Sequence, residues 1–359
     1  MTAPQRRCDI FCTVVDNFGD AGICWRLARQ LHHEHGWGVR LLIDRPEVLA
    51  RLAPDATRTG VQVVRWDTRV TTASPPAQVV IEAFGCALPD DYLRASAAQA
   101  HPPLVINLEY LSAEAWIDGS HGLPSPGAAG GLRKFFYFPG FTPQSGGVLV
   151  ERDHAVRQAG FDGAAFCREF GLDAAPSLRV SMFRYDNAPF DRLVDALAAS
   201  AKPVEVLLPG APGPVERRGA LTLRPLPFLP QARYDELLWL CDLNFVRGED
   251  SFVRAQLAGK PFVWQAYVQE GGAHHAKLAA FLERFIAPNY SGGGTADDAG
   301  RVAVAAFSRA WNGAGTLDWP AFADALPALA ARCRRWRAEL LADPDLCTRL
   351  VAFCARIVE

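Results

Sequence analysis

The sequence predicts an α/β protein made of two Rossmann-like domains. Short β-branched runs alternate with helical patterns in the first half of the chain, and the same alternation begins again after residue 177. Such alternation is typical of βαβ units around a mostly parallel sheet. A chain of 359 residues, half of them hydrophobic, is long enough to form two domains that each have a core.

The first series contains five predicted strands and one clear amphipathic helix. The strands are predicted at 9–15, 39–44, 61–66, 79–84 and 104–108, and the helix at 22–35. A stretch rich in Gly, Ser and Pro follows at 119–131, and an aromatic patch at 135–141 comes after it. We expect a domain seam or a mobile active-site loop in this region.

The second series repeats the pattern and ends in helices. Strands are predicted at 178–185, 204–208, 221–224, 243–246 and 261–264, and helices at 190–201, 231–240 and 251–258. From residue 273 the pattern is helical, and in 346–358 the apolar residues recur every three or four positions. We therefore predict domains at 1–172 and 173–359, with C-terminal helices that could cross back. A ligand crevice is expected at the carboxyl ends of the strands in each sheet.

Charge and composition exclude several classes of protein. The chain has 37 Lys and Arg against 39 Asp and Glu, so its net charge of −2 disfavours binding to nucleic acid or a membrane surface. It contains no signal-peptide pattern and no run of about 18 apolar residues. The nine cysteines are scattered and odd in number, which favours reduced thiols in a cytoplasmic protein.

The common fingerprints of nucleotide and metal sites are absent from the sequence. Neither the P-loop pattern nor G-x-G-x-x-G follows the first predicted strand, which disfavours a P-loop NTPase or an ordinary dehydrogenase. No Cys-x-x-Cys pair is present, and His274 and His275 are adjacent rather than one helical turn apart. We therefore expect neither a metal nor a cofactor.

A turn with two carboxylates follows the first predicted strand. It runs from Asp16 to Gly22 and contains Phe18, Gly19 and Asp20. One carboxylate could act as a general base while the other orients it. Alternatively, Asp16 or Asp20 only caps the helix and the glycines only permit the turn. A second polar loop, with Asn107, Glu109 and Tyr110, follows a later strand.

Two loops of the second half could form a nucleotide pocket. Phe228 precedes one predicted helix and offers a ring for a base, and Arg247 ends a strand just before another helix. A guanidinium and helix N-termini both favour phosphate. Alternatively, Phe228 is a core residue, Arg247 pairs with Glu249 or Asp250, and Ser251 is a plain N-cap.

Two segments closely resemble one known family. The turn Asp16 to Asp20 with the helix that follows, and Arg247 to Phe252 continuing through Gly259 to Gln265, resemble the protein-arginine rhamnosyltransferases of bacterial elongation factor P. The resemblance spans nearly the whole chain. It implies a GT-B fold, dTDP-β-L-rhamnose as donor, an arginine of elongation factor P as acceptor, and inversion at the sugar carbon without a metal.

The resemblance also implies roles for individual residues. Asp20 matches the proposed general base, Asp16 its companion carboxylate, and Glu249 a second essential acid near the donor. The implied substrate-binding positions are Asn17, Phe18, Gly19, Tyr185, Phe228, Leu229, Pro230, Gln231, Arg247, Gly248, Asp250 and Ser251.

Two alternatives to a protein-modifying glycosyltransferase remain open at the level of sequence. One is an enzyme of the same two-domain form that processes a small nucleotide-sugar, such as an epimerase. The other is a non-catalytic module that binds a translation factor. Binding of dTDP separates the second alternative from the enzymes, and donor consumption only in the presence of an acceptor protein separates the first.

Overall fold

The chain divides into two compact units. A computed structural model of the protein describes residues 6–16, 18–66, 75–126, 131–172, 176–287 and 295–358. The first unit comprises Met1–Arg152 with Leu341–Glu359, and the second comprises Asp153–Leu340. Each unit is built around a six-stranded sheet, so the prediction of two Rossmann-like α/β units is confirmed.

The first unit holds a parallel sheet. Its strands are β1 (Arg7–Cys12), β2 (Gly38–Ile43), β3 (Gln62–Arg65), β4 (Val79–Ala83), β5 (Leu104–Leu108) and β6 (Arg133–Tyr137). Its helices before the second unit are α1 (Gly19–His35), α2 (Pro46–Leu52), α3 (Asp90–Ala97) and α4 (Trp116–Ser120), with a short 3₁₀ turn at Ala56–Arg58. The strand order β3-β2-β1-β4-β5-β6 reverses between β1 and β4, and α/β sheets bind ligands at the carboxyl ends of the strands at such a reversal.

The second unit repeats this design with one antiparallel edge strand. Its strands are β7 (Leu178–Met182), β8 (Val204–Pro209), β9 (Glu216–Arg218), β10 (Leu221–Leu226), β11 (Leu243–Arg247) and β12 (Phe262–Gln265). Its helices are α5 (His154–Ala159), α6 (Gly163–Phe170), α7 (Phe190–Ala198), α8 (Gln231–Leu240), α9 (Asp250–Ala258), α10 (Ala273–Phe285), α11 (Thr295–Trp311) and α12 (Trp319–Ala342), and a short 3₁₀ turn lies at Glu270–Gly272. The order β12-β11-β7-β8-β10-β9 reverses between β7 and β11.

The last helix, α13 (Leu346–Val358), belongs to the first unit, where it contacts α1 and β5. The amide of Gln30 in α1 donates to the Asp345 carboxylate at 2.7 Å, and the Tyr137 hydroxyl donates to the carbonyl of Leu346 at 3.3 Å. These bonds and the apolar face of α13 attach the end of the chain to the sheet formed by its beginning.

Several predicted features differ from the structure. The division falls at Arg152/Asp153 rather than at 172/173, because α5 and α6 pack on the second unit, where the Phe161 ring contacts Trp239 at 5.7 Å between centroids. The first part of the aromatic patch at 135–141 is strand, since Arg133–Tyr137 forms the edge strand β6, whereas residues 138–141 lie outside any helix or strand. Strand β1 ends at Cys12 rather than at residue 15.

Candidate active site

Asp20 lies at the strand reversal of the first unit, as the second residue of α1, just after the loop that leaves β1. One carboxylate oxygen, Oδ2, accepts the backbone N–H groups of Val15 and Asp16, each at 2.8 Å. The other oxygen, Oδ1, accepts the hydroxyl of Tyr110 at 3.2 Å. Because these bonds turn the chain back after Cys12, β1 ends earlier and α1 begins earlier than predicted.

Burial sets the electrostatics of this carboxylate. Asp20 is only 2% exposed, and the loss of hydration raises the pKa of its carboxyl from the ordinary value of 3.8. The two backbone N–H bonds, Tyr110 and Arg45 act in the opposite direction and favour the ionised form. A buried carboxylate with a raised pKa is suited to accept a proton.

The helix-cap interpretation is wrong for Asp20. Phe18 occupies the N-cap position of α1, with no side-chain capping bond, and Asp20 bonds to N–H groups that precede the helix. Asp16 is half-buried and its carboxylate lies against Gly19, where an added Cβ would stand 2.7 Å from Oδ2. A side chain at position 19 would therefore push the Asp16 carboxylate out of its present place. Asn17 lies outside the described residues.

Arg247 lies at the strand reversal of the second unit, as the last residue of β11. Its guanidinium carbon is 4.3 Å from the ring centroid of Phe183 and 4.4 Å from that of Tyr185, both just after β7. The backbone of Arg247 is held by Ser251, whose hydroxyl accepts the N–H at 3.2 Å and donates to the carbonyl. Ser251 is thus not a plain N-cap, a position that Glu249 occupies.

The N-termini of α8 and α9 come together beside Arg247. The amide of Gln231, the first residue of α8, donates to the Asp250 carboxylate at the start of α9, at 2.8 Å. Gly248 adopts a positive φ of 64°, and its carbonyl accepts the indole N–H of Trp264 at 2.8 Å. Two helix N-termini and one guanidinium therefore lie at the same end of the sheet, an arrangement suited to a diphosphate.

The segment from Phe228 to Pro230 joins β10 to α8. Phe228 is only partly buried, whereas Leu229 is 6% exposed and packs in the core with Leu226 and Leu237. The Leu229 side chain is therefore a core group, whereas stacking of the Phe228 ring on a base stays a prediction. Pro230 occupies the N-cap position of α8.

Two residues of the second unit were not singled out from the sequence. The hydroxyl of Tyr234 is buried near Asp250 and Ser251, and burial raises the pKa of Tyr234 above its ordinary value. Gln265, at the end of β12, accepts the N–H of Tyr185 at 2.8 Å. Tyr234 follows Gln231 by three positions in α8, so both lie on one face of the helix. This spacing could have indicated Tyr234 as a candidate residue of the site.

The described part of the chain also limits what else the site contains. Within it, no group of three or more His, Cys, Asp and Glu side chains is arranged to hold a metal ion.

No helix in the described residues has the length and apolar character that crossing a membrane requires.

Comparison with known proteins shows the family. A family model described as elongation factor P (EF-P) rhamnosyltransferase EarP matches residues 8–355. The chain is 44% identical to the protein-arginine rhamnosyltransferase of Pseudomonas putida KT2440, over 96% of this chain and 97% of the relative. It is 37% identical to that of Shewanella oneidensis MR-1, over 96% of both chains.

Solved structures agree with this relationship. One described as "Structural basis for EarP-mediated arginine glycosylation of translation elongation factor EF-P" is 32% identical, with a TM-score of 0.66 over 98% of this chain and 99% of that one. The calicheamicin glycosyltransferase CalG4, 13% identical with a TM-score of 0.55 over 99% of this chain and all of that one, shares the fold. The fold is GT-B, and the chain belongs to the EarP family of EF-P rhamnosyltransferases.

Proposed function

We propose that this protein transfers rhamnose from dTDP-β-L-rhamnose to an arginine side chain of EF-P, with inversion at the sugar carbon and without a metal. The observation that carries the proposal is the Asp20 carboxylate, which is buried at a strand reversal with one oxygen held by two backbone N–H groups. Membership of the EarP family supports both the sugar and the acceptor.

In this proposal the first unit binds the acceptor and Asp20 is the general base. An arginine guanidinium has a pKa above about 12, so a carboxylate cannot deprotonate it in advance. Asp20 instead holds the guanidinium through Oδ1 and accepts one proton as the N–C bond forms, with Asp16 as its companion. The arginine keeps its positive charge, because it exchanges one N–H for one N–C bond.

The second unit binds the donor. Arg247, whose guanidinium contacts the rings of Phe183 and Tyr185, stabilises the diphosphate together with the N-termini of α8 and α9, both in the bound donor and as it leaves. The partly exposed ring of Phe228 stacks on thymine, and the backbone of Leu229 reads the edge of the base.

The remaining residues complete the donor site. Glu249, at the N-cap position of α9, supplies the second acid near the donor. The polar groups that line the same end of the sheet are Gln231, Gly248, Asp250 and Ser251. As the C1–O bond breaks, dTDP carries away the electron pair, and attack from the opposite face converts the β-linked sugar into an α-linked one.

The alternatives are less well supported. Both curated relatives are named protein-arginine rhamnosyltransferase. These names disfavour a small-molecule epimerase and a non-catalytic module as the function of this chain. EF-P is a translation factor, so we place the reaction in the cytoplasm.

Incubation with EF-P and dTDP-β-L-rhamnose tests the proposal. We expect EF-P to gain the mass of one deoxyhexosyl group on a single arginine, with release of one dTDP, and no gain when that arginine is replaced by Lys. NMR of the glycopeptide should show an α linkage. Donor consumption without EF-P, or a β linkage, would contradict the proposal.

A further inference from the structure

Tyr110 connects Asp20 to a separate loop of the first unit. It follows β5 and is half-buried, and its hydroxyl donates to Oδ1 of Asp20 at 3.2 Å. This is the carboxylate oxygen that the backbone N–H groups of Val15 and Asp16 leave to other donors. Tyr110 therefore touches the atom to which the proposed reaction delivers its proton.

The ring of Tyr110 is held by a residue in an unusual conformation. Phe84, which follows β4 at the strand reversal, stacks on Tyr110 with centroids 4.5 Å apart and planes 14° apart. Its φ is 58°, and among the described residues it alone combines a positive φ with a side chain. An aromatic residue in this region is strained, and such strain concentrates at functional sites.

The backbone around Phe84 maintains this conformation. Its N–H donates to the carbonyl of Leu108 at 2.8 Å, and the N–H of Cys86 donates to the carbonyl of Ala83 at 3.1 Å. Gly85 also has a positive φ, of 73°. The strained turn thus joins the ends of β4 and β5, and it fixes the ring of Phe84 against Tyr110.

We propose that Tyr110 and Phe84 are positioning residues for the general base: Tyr110 orients Oδ1 of Asp20 and keeps it ionised, and Phe84 fixes the ring of Tyr110. The inference rests on the proposed function, in which Asp20 accepts the proton. A hydroxyl that donates to a carboxylate favours its charged form, and it can turn to accept a hydrogen bond once the carboxyl is protonated.

Among the described residues, two ionisable groups besides Tyr110 act on Asp20: Arg45, before α2, favours its ionised form, and Cys24, in α1, is hydrogen-bonded to Cys12. Asp16 acts on Asp20 through its backbone N–H. The pKa of Cys24 lies well above its ordinary value, mainly through its contact with Cys12, so this thiol stays neutral in the working range of pH. A shift in the acid limb of the activity profile on replacing Tyr110 therefore reports on Asp20.

The test is the pH dependence of kcat/KM for Tyr110→Phe. Without the hydroxyl, protonation of Asp20 becomes easier, so we expect the acid limb to move upward by about one pH unit. The Kd for dTDP should not change. The matched control is Tyr92→Phe, which removes a hydroxyl that donates to a different buried carboxylate, Asp9, and should leave the limb in place.

Substitutions of Phe84 test the same inference independently. Phe84→Tyr keeps the stacked ring and should keep the wild-type profile. Phe84→Asn suits the positive φ but removes the ring, so we expect an upward shift with no loss of Tm.

The outcomes separate this inference from the proposed function. If Tyr110→Phe or Phe84→Asn folds and retains the wild-type limb while Asp20→Asn is inactive, the positioning inference is overturned and the general base stands. If Asp20→Asn itself retains turnover, the proposed function fails. A lower Tm with an unmoved limb would make the two residues merely structural.

Discussion

Replacing Asp20 with Asn removes the proposed proton acceptor with little change of shape. The new amide oxygen can accept the N–H groups of Val15 and Asp16, as Oδ2 does now. The amide nitrogen can then donate to the Tyr110 oxygen in place of the present bond. The loop before α1 should therefore keep its conformation.

The expected loss of turnover is large. General-base catalysis contributes roughly 10²–10⁴-fold, which is about 3–5 kcal/mol of activation free energy. The residues proposed to bind the donor lie in the second unit, so binding of dTDP should not change.

The stability of the Asp20→Asn variant should not fall with its turnover. The pKa of Asp20 is higher in the folded state than its ordinary value of 3.8, so the folded state binds the proton more tightly. When the pH rises above about 3.8, ionisation of Asp20 therefore lowers the free energy of unfolding. Asn carries no charge, so the variant should be at least as stable at pH 7. Its advantage should shrink as the pH falls toward 3.8.

Single-turnover measurement of EF-P glycosylation, with melting curves from pH 4 to pH 8, tests both expectations. The matched control is Asp9→Asn, another buried carboxylate of the first unit, which binds the Arg40 guanidinium through both oxygens. That change should cost about 1–3 kcal/mol of stability but leave the turnover of folded protein intact. Near-normal turnover of Asp20→Asn would refute its role as base, and a clear loss of stability at pH 7 would refute the electrostatic reasoning.

Three further substitutions test the donor and acceptor loops. Arg247→Lys keeps the charge but loses the planar donor fork, so we expect at least tenfold weaker dTDP binding with thymidine affinity unchanged, by calorimetry; a lower Tm with unchanged dTDP affinity would make Arg247 structural. Phe228→Ala should weaken dTDP and dTDP-rhamnose equally, by about 1–3 kcal/mol, and unchanged affinities would exclude stacking. Gly19→Ala pushes on the Asp16 carboxylate, so its loss of turnover should match that of Asp16→Asn. In the double variant the two losses should not add. Full additivity would show that Gly19 and Asp16 act independently.

Much of the architecture and the position of the site follow from local patterns in the sequence. Alternating strands and helices predict two parallel-sheet units, because βαβ chains can bury their apolar faces in few other ways. Polar turns that follow strands predict where a site lies, since the carboxyl ends of parallel strands share one edge. Asp20 and Arg247 were singled out in this way, and the structure places each at the strand reversal of its own sheet.

Contacts between distant segments were decided only by the tertiary structure. Nothing local in the sequence pairs Asp20 with Tyr110, brings Arg247 to the rings of Phe183 and Tyr185, or attaches α13 to the first unit. Local periodicity determines which face of an element is apolar, but strand order and packing across the whole unit determine which elements meet. The positive φ of Phe84 also depends on the tertiary structure, because an aromatic residue adopts that conformation only where the surrounding bonds outweigh its strain.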